Sequence, residues 1–274
     1  MEYLLDLSPL LAVMAGLIGL VFWWKWRSER KEEREHAEAL AAFAGRLGGR
    51  ISGPAEARAW SAELLPPLHR ESEGLINRFG TVRRARFDTA LAFRRGRWSV
   101  RVSEASMKKT VPTAGTTTHY EYRIEVATSI VAPMKISRRQ LVDYLGRPLP
   151  PKRIPDPDRE PAVEAPSTVA REQRQWLKVR LPEPVDGHFV VFTADLSAAA
   201  RTFSPEVVEL MLGQVESPSF RSPMPFDLTF ESGLVFGTVH GRIDPDQVLD
   251  KVDVILGLLD RMPHVTPAHP PAPA

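Results

Sequence analysis

The chain contains no cysteine. A disulfide framework, a thiolate metal site and a cysteine nucleophile are therefore excluded, and the absence suits a reducing compartment. Phosphate loops are missing as well, with no GxGxxG or GxxxxGKS/T run to cradle a nucleotide. No GxSxG elbow presents a serine nucleophile. The histidines (His36, His69, His119, His188, His240, His264 and His269) include no HExxH pair or other metal-ligand spacing. Of these, His119 in a Thr-rich stretch and His240 beside Gly241 are the candidates to titrate near neutrality. A large excess of one charge is also lacking: the formal net charge is +2 over 274 residues, which by itself does not point to nucleic acid. The expectation is a non-enzymatic chain with no cofactor and no metal.

What the sequence does contain is one long apolar run. Leu7 to Trp24 is 18 residues without a charge. As a helix it spans about 27 Å, close to the hydrocarbon thickness of a bilayer. Ser8 and Pro9 suit the cap and first turn, and Trp23, Trp24 and Trp26 form an aromatic belt at the far end. A cleaved signal peptide needs a cationic segment before its apolar core, whereas here MEYLLD precedes it. Lys25, Arg27, Arg30, Lys31 and Arg34 follow it instead, so the Lys/Arg bias places the bulk of the chain in the cytoplasm. Ala12 with Gly16, and Ala15 with Gly19, are small-residue pairs that would allow a homodimer through close helix approach in lipid.

Beyond this anchor and juxtamembrane segment (1–35), the pattern predicts an α+β fold, a mostly antiparallel sheet packed with helices. Residues 36–146 form a first α+β region. Helix is expected to continue to Gly48 and Gly49, to resume over PAEARAWSAELL and to extend through RESEGLINRF. FDTALAF and RWSVRV then flank a hairpin turn. THYEYRIEVATS alternates Tyr120, Tyr122, Ile124 and Val126 with Glu121, Arg123 and Glu125, one face inward and one outward. The intervening MKKTVPTAGTTT reads as a loop and SRRQLVDYLG as a short helix. A proline-rich stretch, 147–172, is either a linker between subdomains or an insertion in one sheet.

Residues 173–262 form the second region. QWLKVRL and HFVVFTA read as strands, ADLSAAARTF as a short helix, and Ser204-Pro205 as the start of another helix. FDLTF and LVFGTVHG read as a hairpin. Asp244 and Pro245 are placed at the cap and first turn of a last helix, with Val248, Leu249, Val252, Ile255, Leu256 and Leu259 on its buried stripe. Residues 263–274 read as a disordered tail. The run from HFVVFTAD through SPEVVELML to LVFGTVHGRIDPDQVLDKVDVILGLLDRM resembles the ending of a family of uncharacterised bacterial membrane-anchored proteins, classed as a domain of unknown function. That resemblance, over about residues 175–262, implies an anchor before an α+β domain and carries over no catalytic residue.

Charge is clustered once. Arg83, Arg84, Arg86, Arg94, Arg95, Arg97, Arg101, Lys108 and Lys109 stand against Asp88 and Glu104, a local +7. Such a cluster is either a solvated sheet face or a patch for anionic lipid or another polyanion. A tethered domain meets lipid first, which weighs against nucleic acid. The leading expectation is a single-pass accessory or scaffold protein of the cell membrane with an unidentified protein partner. A ligand-sensing module is the alternative, and an unrecognised enzyme comes third.

Overall fold

The computed structural model describes residues 8–68, 81–82, 84–111, 115–138, 177–216 and 227–271. At 8–13, 15, 81–82, 111, 115 and 216 it describes the backbone alone. Helix α1 (Ser8–Leu47) runs unbroken for 40 residues, about 60 Å. Its ion pairs are local, Lys25 with Glu29 and Lys31 with Glu35, each one turn apart. Arg27 lies over Trp23, and Arg30 lies 4.2 Å from the centre of the Trp26 ring. Its C-terminal third meets the rest of the molecule, through buried Leu40, Phe43 and Ala44 and through His36 against Glu104. Gly48, with a φ of +60°, ends the helix as its sequence predicts. Gly49 follows so close to the chain at Ala92 that a Cβ would stand 2.9 Å from the Ala92 carbonyl.

Strands β1 (Arg50–Ser52), β2 (Thr81–Val82), β3 (Arg86–Arg95), β4 (Trp98–Val111) and β5 (Gly115–Ala127) lead into β6 (Met134–Arg138). After residues outside the description come β7 (Leu177–Val179) and β8 (Phe189–Thr193), then α2 (Leu196–Thr202) and α3 (Pro205–Glu216). The chain closes with β9 (Leu228–Glu231), β10 (Leu234–His240) and α4 (Val248–Asp260). All pair antiparallel in one sheet of order β1-β3-β4-β5-β10-β9-β6-β8-β7, with β2 beside the far end of β4. Strands from both sides of the proline-rich segment thus interleave in one sheet. The fold is α+β.

Two hairpins show why the turns fall where they do. Gly96 takes φ +57° at the β3–β4 turn, while Ser232 and Gly233 both take positive φ between β9 and β10. These are the mirror-image turns whose twist matches antiparallel strands.

Both faces of the sheet are covered. On one, α1, α3 and α4 pack over Leu91, Val100, Val102, Tyr122, Ile124 and Val126. Val248, Val252, Ile255, Leu256 and Leu259 are buried as the helical spacing predicts; Leu249 is only partly so, and Leu258 joins them. On the other face lies residues 54–68, wound as turns rather than the expected helix. Ala57 and Ala59 cover Phe87, Ala90 and Ala105, while Trp60, Leu64 and Leu65 cover Ala127, Leu234 and Phe236. The expected outward row Glu121, Arg123 and Glu125 is consequently buried.

Other expectations are corrected locally. Met107–Val111 and Gly115–Thr118, read as loop, are paired strand, with Lys108 opposite Thr118 and Thr110 opposite Thr116. β-branched threonines favour that pleated geometry, and the two hydroxyls of Thr110 and Thr116 hydrogen-bond at 3.0 Å. Ser137 and Arg138 belong to β6; the remainder of that expected helix, the RESEGLINRF helix and the 147–172 stretch lie outside the described residues. Asp244 caps a turn one step before α4, accepting from the Asp246 N–H at 2.9 Å, and the helix itself starts at Val248. After Pro263 the chain is pinned: the Ser129 N–H donates to Thr266 O at 2.7 Å, Thr128 bridges to Pro267, and Val265 is buried.

Among the described residues no helix is long and apolar enough to cross a membrane. The apolar run Leu7–Trp24 falls only partly within them, since Leu7 is outside and the side chains of Ser8–Val13 and Ala15 are not described.

Candidate functional site

The basic residues do not form one surface. They are spread along β3 and β4, and β4 alone is about 46 Å long. At the Gly96 end, Arg95 makes a two-pronged contact with Asp253 of α4 at 3.0 and 2.7 Å. Arg97 bonds Asp260 at 3.0 Å and lies over Trp98, whose indole N–H shares that carboxylate. Arg94 is exposed beside them. Mid-strand, Arg101 turns to the other face, donating to the Glu56 carbonyl and to Ser103 Oγ, with burial pulling its pKa down. At the opposite end Arg86 pairs with Asp88 at 2.9 Å, next to exposed Arg84. Exposed Lys108 and half-buried Lys109 lie on that same stretch of β4. Arg83 lies outside the described residues. The clustering in sequence is therefore two clusters in space, of which the one at the turn is matched by acids of α4.

A polar joint that the sequence reading did not single out links α1 to the sheet. Glu104 is buried on β4 and its Oε2 accepts the Ile243 N–H at 2.7 Å. His36 Nε2 lies 3.0 Å from the same oxygen. Arg242 Nε is 3.6 Å from Oε1, an ion-pair distance rather than a hydrogen bond, and its guanidinium stacks 4.5 Å from the Tyr120 ring. Next to it Lys251 donates to the buried Tyr122 hydroxyl at 2.6 Å. Burial pushes the Tyr122 phenol well up, with Asp244 adding to it, and pulls Lys251 down against Asp244.

The second buried cluster holds residues 54–68 to the other sheet face. Glu125 accepts from Trp60 N–H at 2.9 Å, Ser61 N–H at 2.7 Å and Ser61 Oγ at 2.6 Å. Arg123 donates to Ser61 Oγ at 3.0 Å, Leu65 O at 2.7 Å and Glu121 Oε1 at 3.4 Å. Burial pushes the Glu125 carboxyl up; Ser61, Arg123 and the Trp60 N–H pull it back. Burial likewise pulls the Arg123 guanidinium down, opposed by both carboxylates. Apart from Arg123 Nε, which is buried without a hydrogen-bond partner, these groups are engaged by one another and by the backbone of residues 60–68, and their geometry is that of a clamp.

No family model matches the chain, and neither a curated protein nor a solved structure matches it. The resemblance of the C-terminal run to a membrane-anchored family has no counterpart there, and function rests on the geometry alone.

Among the described residues no His, Cys, Asp and Glu are grouped to hold a metal ion. His119 lies on β5, 3.5 Å from Thr117, and His240 is exposed at the end of β10. One cavity of about 320 Å³ opens beside β6, β8 and β9, with Met134, Phe230 and Met262 as its apolar floor. Its polar wall is Thr193, Asp195, Arg201 and Thr202, the last bonded to His264 at 3.1 Å. Burial, then Arg201, lower the His264 pKa. Gly16 and Gly19 are exposed on α1, while the side chains of their expected seam partners Ala12 and Ala15 lie outside the description.

Proposed function

We propose that the chain is a single-pass membrane protein whose α+β domain is a non-enzymatic accessory or scaffold unit, carried on a continuous helical stalk at the cytoplasmic face of the cell membrane. The observation behind it is the exposure of α1. Leu17, Ile18, Leu20, Val21, Phe22, Trp23 and Trp24 are each more than half exposed. Successive helical residues point about 100° apart, so these side chains face every direction. A partner helix covers one stripe; lipid covers all sides. Burying each large apolar side chain is worth about 1.5–3 kcal/mol. The 18 uncharged residues of Leu7–Trp24 have the length for it. Charges begin at Lys25, and the arginine–tryptophan stacks sit where headgroups would meet the chain.

Two measurements test this. The full chain should resist alkaline extraction from membranes, and a reporter fused at Ala274 should be active only if it works in the cytoplasm. Release by alkali removes the anchor; activity of an exterior-dependent reporter reverses the orientation. Exchanging Lys25, Arg27, Arg30, Lys31 and Arg34 for acids should scramble insertion.

The cavity favours a second reading, a membrane-tethered sensor for a small molecule, since its volume is at the low end for ligand sites. Ala198→Phe fills it. A compound that raises the melting temperature of the parent but not of this variant would support sensing.

A further inference from the structure

The cavity beside β6, β8 and β9 is enclosed by stretches that meet only in the fold. Residues 130–134, between β5 and β6, are held by Thr193 Oγ1 and the Ala194 N–H, both donating to Pro133 O at 3.0 Å. Residues 262–265 are held through Thr266, whose carbonyl accepts the Ser129 N–H at 2.7 Å and whose N–H donates to Ser129 Oγ at 3.0 Å. Helix α2 closes the third side with its cap Asp195 and with Ala198, Ala199 and Thr202, spaced three and four residues apart on one side of the helix. The two alanines leave the room that larger residues would fill.

The polar groups of the wall divide into those the protein uses and those it does not. Thr193 Oγ1 also accepts the Asp195 N–H at 3.0 Å. Asp195 Oδ1 accepts the Ser197 and Ala198 N–H groups at 2.9 and 3.1 Å. Thr202 Oγ1 gives its proton to Ala198 O at 3.0 Å, so at 3.1 Å it accepts from His264 Nε2–H. That leaves His264 Nδ1 and the exposed Arg201 guanidinium, neither of which has a hydrogen-bond or ion-pair partner among the described residues. The two side chains are close, since the Arg201 charge adds to burial in lowering the His264 pKa. Asp195 lies at the other end of α2, six residues or about 9 Å along the axis. Among the residues lining the cavity these three carry charge, so one end is basic and the other acidic.

Resting on the sensing reading above, we infer that the cavity binds a small molecule with one carboxylate on an apolar body, the carboxylate set against Arg201 and His264. The guanidinium presents a planar pair of N–H donors that matches a carboxylate. An anion there also relieves the repulsion between Arg201 and a protonated His264, whereas Asp195 repels it from the other end, which fixes the direction of the ligand. At about 30 Å³ per water, 320 Å³ holds about ten non-hydrogen atoms. Phe230 and the thioethers of Met134 and Met262 on the floor suit an aromatic body.

The probe is phenylacetate, with neutral phenylacetamide as a control of the same shape. Ligand-observed NMR titrations of the full chain in detergent, with empty micelles subtracted, measure both. Phenylacetate should bind with a dissociation constant of about a millimolar, and phenylacetamide about tenfold more weakly. Arg201→Gln should weaken phenylacetate about tenfold and leave phenylacetamide unchanged, and Arg201→Lys should recover part of the loss. Because Arg201 is exposed, neither replacement should shift the melting temperature. Ala198→Phe should abolish both ligands. Undetectable phenylacetate binding, equal binding of acid and amide, or an Arg201→Gln chain that binds phenylacetate as the parent does overturns the carboxylate assignment. Equal binding that Ala198→Phe abolishes refutes that assignment alone and keeps the cavity as a ligand site. Binding that survives Ala198→Phe lies outside the cavity and overturns the sensing reading as well.

Discussion

Replacing Arg123 by methionine removes the one cation from the most deeply buried polar cluster of the fold. Arg123 is fully buried and bonds Ser61 Oγ, Leu65 O and Glu121 Oε1 at 3.0, 2.7 and 3.4 Å. Methionine fills most of the space but leaves two buried carboxylates, Glu121 and Glu125, without their counter-charge, and the Leu65 carbonyl without a donor. Removing one partner of a buried ion pair costs about 3–5 kcal/mol. Urea unfolding of the full chain in detergent, followed by tryptophan fluorescence, measures it by linear extrapolation. Trp60 sits inside the clamp, its N–H held by Glu125, so the clamp should loosen in step with, or ahead of, the core. The decisive comparison is the double variant Arg123→Met with Glu125→Gln. Glutamine keeps one acceptor oxygen, enough for the Ser61 donors, but sets its NH2 against the Trp60 N–H; because it needs no cation, the double variant should lose less than the sum of the two singles. A single-variant loss under about 1 kcal/mol, the worth of an exposed pair, would refute the argument. So would a double variant that loses the sum of the two singles.

Three further outcomes are expected. The Glu125 pKa is raised in the folded chain, so its contribution is fully present below the ordinary carboxylate pKa and is lost as pH rises through the raised value; the parent's stability relative to Glu125→Gln should fall with rising pH over that window, and a rise would contradict it. Glu104→Ala strands the buried Ile243 N–H and unlatches His36, at a cost of about 1–3 kcal/mol, read as earlier melting and faster proteolysis near Gly48. Leu256→Asp puts a charge into the stripe shared with Val252 and Leu259 and should cost about 4 kcal/mol or more; an unchanged melting temperature would show that α4 does not pack as described.

Periodicity made the helices and hairpins legible because each is decided within a few residues. The spacing of Val248, Val252, Ile255, Leu256 and Leu259 is met by burial in α4, and glycines mark both the end of α1 and the β3–β4 turn. What periodicity does not carry is what lies across a face. Glu121, Arg123 and Glu125 alternate as a solvated row would, and only the non-local arrival of residues 54–68 turns them inward. A trace is present: Glu-Arg-Glu at every second residue sets one cation between two carboxylates, leaving a net −1, a pairing that an open face has no need of. Residues 54–68 were themselves misread because propensity favours helix for an Ala- and Glu-rich stretch, whereas three hydrogen bonds to Glu125 fix Trp60 and Ser61 from outside. For the basic residues the same limit applies: nearness in sequence along a 14-residue strand is distance in space.

One helix serves as stalk and as core element, which sets how the domain can lie. Leu40, Phe43 and Ala44 are in the main core, Glu104 holds His36 to the sheet, and Gly49 packs against β3 within two residues of the helix end. Hence the domain cannot swing about a linker at this joint without breaking buried contacts. A continuous helix removes that freedom. Arg95 with Asp253 and Arg97 with Asp260 tie the β3–β4 turn to α4, so that turn belongs to the same packed unit rather than to a free arm.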